Sequence, residues 1–122
     1  MTIKGLCISS VFSENLNNLL PFYRDVLGLP VGTEGPGFVV LGDPAGPSIG
    51  LGTHSEVRGK AAEPARHIVG VETDDIQGDY NRLKGLGVEF LEEPTPGGAV
   101  TFATLKDPEG NYVQLVEFNR AM

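Results

Sequence analysis

Asp107-Pro108-Glu109-Gly110-Asn111-Tyr112-Val113-Gln114-Leu115-Val116-Glu117-Phe118 reads as a tight turn running into a strand. Asp and Pro open the turn, Gly supplies a positive φ, and the residues that follow are rich in β-branched and aromatic types. Alternation puts Tyr112, Gln114 and Val116 on one face of that strand and Val113, Leu115 and Glu117 on the other, with Glu117 expected in solvent. At a constant spacing of 64 the same turn recurs as Asp43-Pro44-Ala45-Gly46, ahead of a strand expected near 47–53.

The recurrence extends upstream. Leu16, Leu20, Tyr23 and Val26 meet Ile76, Tyr80, Leu83 and Leu86 at a spacing of 60, each set forming the apolar stripe of a helix packed on a sheet. Pro21 interrupts the first stripe, so that helix either bends there or becomes regular only near Leu20. Asn15 or Ser13 can cap it, and Gly28 ends it. Strands are expected near 5–12, 29–34, 37–42 and 47–53, and again near 67–73, 87–92, 99–105 and 111–118. The second helix follows Asp75. Two βαβββ modules, 5–53 and 66–118, joined by an aperiodic connection over 54–65, therefore make one α+β domain. Neither module can hide both its sheet faces alone, so the modules pair, within one chain or across a homodimer.

The chain has 122 residues, 40% of them apolar and 20% charged, with 17 glycines and nine prolines. It can bury one core but turns often. Sixteen acidic residues against nine Lys and Arg give a net charge of -7, which opposes binding to nucleic acid or an anionic membrane. No apolar run reaches membrane-spanning length and no signal-peptide pattern opens the chain, so a cytoplasmic protein is expected. The single cysteine, Cys7, reads as a small core or wall residue.

Phe22-Tyr23-Arg24-Asp25-Val26-Leu27-Gly28-Leu29, Asp74-Asp75-Ile76, Gly85-Leu86-Gly87-Val88 and Asp107-Pro108-Glu109-Gly110-Asn111 together resemble the vicinal oxygen chelate superfamily. That group includes glyoxalase I, extradiol dioxygenases and bleomycin resistance protein. The resemblance implies paired βαβββ modules whose mixed sheets curl around a cavity with the helices outside. In metal-using members, a His or Glu comes from the first and last strand of each module. Carried over by the turn and helix landmarks, those positions are Ile8, Gly50, Ile68 and Gln114. Three have no side-chain donor and Gln114 has only a neutral amide, so no metal and no other cofactor is expected.

The candidate ligand-binding residues are therefore Ile8, Phe38, Gly50, Ile68, Phe102 and Gln114, with His54 at the start of the connection. Val40 and Phe90 are expected to add apolar surface, and Ser9 or Ser10, Thr104 and Tyr112 sparse hydrogen-bonding groups. His67 would enter this face only if the register slipped by one. Glu92 and Glu93 read as strand neighbours facing opposite ways, and no nucleophile elbow or phosphate-binding glycine loop is present. The expected partner is a small organic molecule. The alternatives are a lyase or dioxygenase with a displaced metal site at His54 or His67, and a non-catalytic structural or regulatory homodimer.

Overall fold

A computed structural model describes residue 4, residues 7–43 and residues 46–119. Among the described residues, eight strands form two four-stranded sheets, one in each of two compact units, Met1–Gly59 and Lys60–Met122. The first unit holds β1 (Ser9–Ser13), β2 (Val31–Gly35), β3 (Phe38–Gly42) and β4 (Ser48–Thr53). The second holds β5 (Val69–Glu72), α1 (Ile76–Gly85), β6 (Phe90–Gly97), β7 (Val100–Lys106) and β8 (Tyr112–Phe118). The wiring is the same in both: β1-β4-β3-β2 in one sheet and β5-β8-β7-β6 in the other. In each, the first strand runs parallel to the last and the other pairs are antiparallel. The mixed α+β fold implied by the repeat is thus present. Expected strand residues 5 and 6, and the centre of the first Asp-Pro turn at 44–45, lie outside the described residues.

The repeat persists at single-residue resolution. Val40 pairs with Gly50 where Thr104 pairs with Gln114, and Phe38 pairs with Gly52 where Phe102 pairs with Val116. In both units the Gly of the Asp-Pro-x-Gly turn donates its N–H to the Asp carbonyl at 3.0 Å, Gly46 to Asp43 and Gly110 to Asp107. Even a strand irregularity recurs, between Val31 and Thr33 in β2 and between Phe90 and Glu92 in β6.

The first helical segment departs from a regular α-helix. It is a 3-10 turn at Leu16–Asn18, capped by the Asn15 side chain, then a π-helical turn at Pro21–Val26. Pro21 has no N–H to donate, so it occupies the first position of the second piece instead of interrupting one long helix. Gly28, at φ 80, lets the chain reverse, and Leu29 N–H donates to the Tyr23 carbonyl at 3.1 Å. Leu19 and Tyr23 are buried in the core with Val39, Leu41, Ile49 and Leu51. On the outer side Arg24 clamps Asp25 through two bonds of 2.9 and 3.0 Å. That hydrogen bond holds the Asp25 carboxyl below its ordinary value.

α1 starts as expected from Asp75, whose side chain accepts from Gly78 N–H at 3.0 Å. Glu117 was expected in solvent and is instead half-buried. Its carboxylate accepts the Ile76 N–H at 2.8 Å, tying β8 to the helix N-terminus. Ile76 and Leu83 are buried, whereas Leu86, expected on the same stripe, lies past the helix end and is exposed. The strand expected at 87–92 begins later, at Phe90, because Val88 is still bonded back to the helix through the Leu83 carbonyl at 3.1 Å.

Candidate functional site

Each sheet has one face on its helical segment and one face turned away, and pairing defines the latter row by row. In the first unit, Ser10, Gly50, Val40 and Thr33 form one row across the four strands. Phe12, Gly52 and Phe38 form the next. The two phenyl rings approach to 6.3 Å between centroids, and the His54 ring meets Phe12 edge-on at 5.5 Å. The glycines allow the rings to lie down on the strand. A β-carbon at Gly50 would sit 2.5 Å from Phe38 Cζ, 2.9 Å from Ser10 Oγ and 3.1 Å from Ile8 Cδ1. One at Gly52 would sit 2.7 Å from Phe12 and 2.9 Å from Phe38. Both distances are too short for a real contact, so a side chain at either place would lift the rings.

This arrangement brings Ile8, Phe38 and Gly50 together, with His54 joined to them through Phe12. Ile8 and Phe12 are 41% and 39% exposed, unusual for large apolar side chains gathered on one sheet face. Phe12 is a member of the group that sequence reasoning did not single out; its alternation with Ile8 and Ser10 was the available signal. His54 Nδ1 accepts the Glu56 N–H at 3.1 Å, so in the neutral ring the proton resides on Nε2.

In the second unit, Gly70, Gln114, Thr104 and Glu92 form a row through all four strands. Glu72, Val116, Phe102 and Thr95 form its neighbour. Gln114 Nε2 donates to Thr104 Oγ1 at 3.3 Å, and Thr104 Oγ1 donates to Glu92 Oε1 at 3.0 Å. Phe102 covers Gly97, where a β-carbon would lie 2.7 Å from its ring. Ile68 is half-buried just before β5 and has the same strand parity as Gly70, which pairs with Gln114. His67 is exposed, at the end of the Pro64–Arg66 turn and of opposite parity.

One expectation fails here. Phe90 stacks edge-on against Tyr80 of α1 at 4.7 Å, on the helix side of the sheet. Glu92 joins Thr104 on the other side. The irregularity between them inverts the alternation, because Phe90 pairs with Leu105 and Glu92 with the next residue back, Thr104. Tyr112, two residues before Gln114 in unbroken register on β8, lines a cleft of about 370 Å³ with Glu63, Pro64, Ala65 and Arg66. That cleft carries an ion pair of its own, Arg66 to Glu63 at 2.7 Å.

Among the described residues no three His, Cys, Asp or Glu side chains are grouped as a metal centre, and no helix is long and apolar enough to cross a membrane. Residues 8–115 match the family model for the Glyoxalase/Bleomycin resistance protein/Dioxygenase superfamily. The chain belongs to this superfamily. The glyoxalase-like chain is 30% identical over 121 residues to the uncharacterized protein YetH of Bacillus subtilis (strain 168), covering 94% of this chain and 99% of YetH. It is 54% identical over 43 residues to the uncharacterized protein YurT of the same organism, about a third of each chain (35% and 34%). Among solved structures it is similar to TnmS3, an antibiotic binding protein from Streptomyces sp. CB03234. The TM-score is 0.76 at 21% identity, covering 98% of this chain and 99% of TnmS3. A glyoxalase/dioxygenase from Nostoc punctiforme superposes with a TM-score of 0.78 at 13% identity, over 98% and 94% of the two chains.

Proposed function

We propose that this superfamily member binds a flat, largely apolar organic molecule without a metal ion. The carrying observation is the glycine-floored aromatic face of the first unit, where Ile8, Phe12 and Phe38 expose ring and alkyl surface over Gly50 and Gly52. Aromatic rings held down by a glycine strand present a flat surface, and flat ligands stack on such surfaces. The antibiotic-binding activity named for the structurally similar TnmS3 agrees with this reading. The residue types at the four positions where metal-using relatives carry ligands argue in the same direction. Ile8, Gly50 and Ile68 offer no side-chain donor, and Gln114 offers only a neutral amide oxygen.

The test is titration with phenylnaphthylamine, a neutral aromatic dye that brightens when removed from water. Saturable binding is expected, weakened about fivefold by Phe38→Ala, since one aromatic contact is worth roughly 1 kcal/mol. Absence of saturable binding would overturn the proposal.

Metal independence has its own measurement. Purified protein is expected to carry no stoichiometric Zn, Ni, Mn or Fe by elemental analysis, before or after dialysis against each metal. One tightly held ion per chain would transfer the assignment to a metal-dependent enzyme. We further propose that the protein is a homodimer, because outside the proposed ligand face Val31, Leu86, Leu91 and Phe118 still leave substantial apolar surface in water. Sedimentation at micromolar concentration is expected to give twice the chain mass, and a monomer at every concentration would refute it.

A further inference from the structure

The row Gly70, Gln114, Thr104, Glu92 has a direction that follows from proton counting. A threonine hydroxyl has one proton, and an ionised carboxylate has none to offer. The 3.0 Å bond between Thr104 Oγ1 and Glu92 Oε1 therefore takes the Thr104 proton. Toward Gln114 the hydroxyl has only lone pairs, so Gln114 must turn its NH2 to Thr104, at 3.3 Å. The amide orientation, ordinarily ambiguous between oxygen and nitrogen, is fixed by this relay. The Gln114 carbonyl oxygen is thereby left at one end of the row and the second Glu92 oxygen at the other.

Both ends are acceptors. Glu92 also lacks an ionic partner among the described residues, for the cations bound in this unit go elsewhere. Arg66 pairs with Glu63, Arg82 with Asp79 and Lys106 with Glu89. Beside Gln114 the row opens at Gly70, where a β-carbon would meet only Val116 Cγ2, at 3.7 Å. Strand irregularities on both sides of Glu92 aim its carboxylate onto this face.

We propose that the Gln114, Thr104 and Glu92 row, by itself within the second unit, recognises a hydrogen-bond-donating cation, an amidinium or protonated amine. This rests on the reading of the chain as a small-molecule binder and adds a recognition site in the second unit with the charge class of its ligand. The net charge of -7 works in the same direction by concentrating cations near the surface. Thr104 acts as a positioning residue, since it sets which atom of Gln114 faces outward.

The experiment compares benzamidinium with its neutral isostere benzamide, titrated into the nitrogen-labelled full chain and followed by NMR. Benzamidinium is expected to shift the Gln114 side-chain amide and the Thr104 and Glu92 amides, and to bind about fivefold more tightly than benzamide, as a partly exposed charge pair allows. Glu92→Gln should remove that preference and leave benzamide unchanged. Thr104→Val should reduce it while the spectrum stays that of the folded chain, because the Gln114 amide is then free to turn. Equal affinity of the two compounds, or shifts that avoid the row, would overturn the proposal. If phenylnaphthylamine still binds in that case, cation recognition fails alone; if it does not, the binding function fails with it.

Discussion

Replacing Tyr23 by alanine is expected to destabilise the protein by about 4 kcal/mol, in the range found for large aromatic residues removed from cores. The side chain is 0% exposed and its ring meets Phe22 edge-on at 5.2 Å. Its backbone lies in the π-helical turn Pro21–Val26, closed by Gly28 and by the bond from Leu29 N–H to the Tyr23 carbonyl. A segment held at both ends cannot collapse into the vacated space, so the cavity penalty is retained. Urea or thermal denaturation reads the effect, and a fall in Tm on the order of 15 °C is expected for a chain of this size. Tyr23→Phe keeps the ring and should cost no more than about 1.5 kcal/mol. A loss below that value for the alanine variant would show that the surroundings refill the space.

The second large effect is expected at Asp107. Its carboxylate, 5% exposed, accepts three bonds: from Glu109 N–H at 2.8 Å, Asn111 N–H at 2.9 Å and Asn111 Nδ2 at 2.8 Å. Asp107→Ala strands those donors in a buried turn and should cost about 3 kcal/mol, because bonds to a charged group are stronger and unmade buried donors are penalised. Asp107→Asn should cost about half as much, since it must present an NH2 to a surrounding composed of donors. The repeat supplies an internal control. Asp43 occupies the matching turn but is exposed, so Asp43→Ala should cost less than about 1 kcal/mol. Equal losses at the two sites in equilibrium denaturation would contradict this account.

Most of the fold was legible because turn residues mark it. The two Asp-Pro-x-Gly turns, the glycines at 28, 35 and 37 and the cap at Asp75 bracket the strands and α1 to within a few residues. Parity along β8 was legible too, since Val113 and Leu115 are buried and Gln114 faces the other way, as simple alternation requires. Parity along β6 was not. A bulge inserts one residue without demanding a special residue type, so Phe90 and Glu92, two apart, read as neighbours on one face while in fact they face opposite ways. Pro94 and Pro96 within β6 were the available hint, because proline inside a strand belongs to an edge or an irregularity. Glu117 escaped for a different reason. Its role depends on the distance from β8 to the start of α1, a tertiary relation that no local pattern encodes.

The parallel pairing of first and last strands in each unit bears on how the chain folds. β2, β3 and β4 can zip locally as successive antiparallel neighbours, whereas Ser9 must find Ile49 and Val69 must find Val113. Closing so long a loop is entropically slow, and contacts of that kind form late. On a ribosome, β1 would emerge first and remain unpaired until β4 has cleared the exit, and β5 would wait likewise for β8. The seams that close last are those between Ser10 and Gly50 and between Gly70 and Gln114. The two faces therefore take shape only at the end of folding, each completed in a single step by the arrival of its last strand.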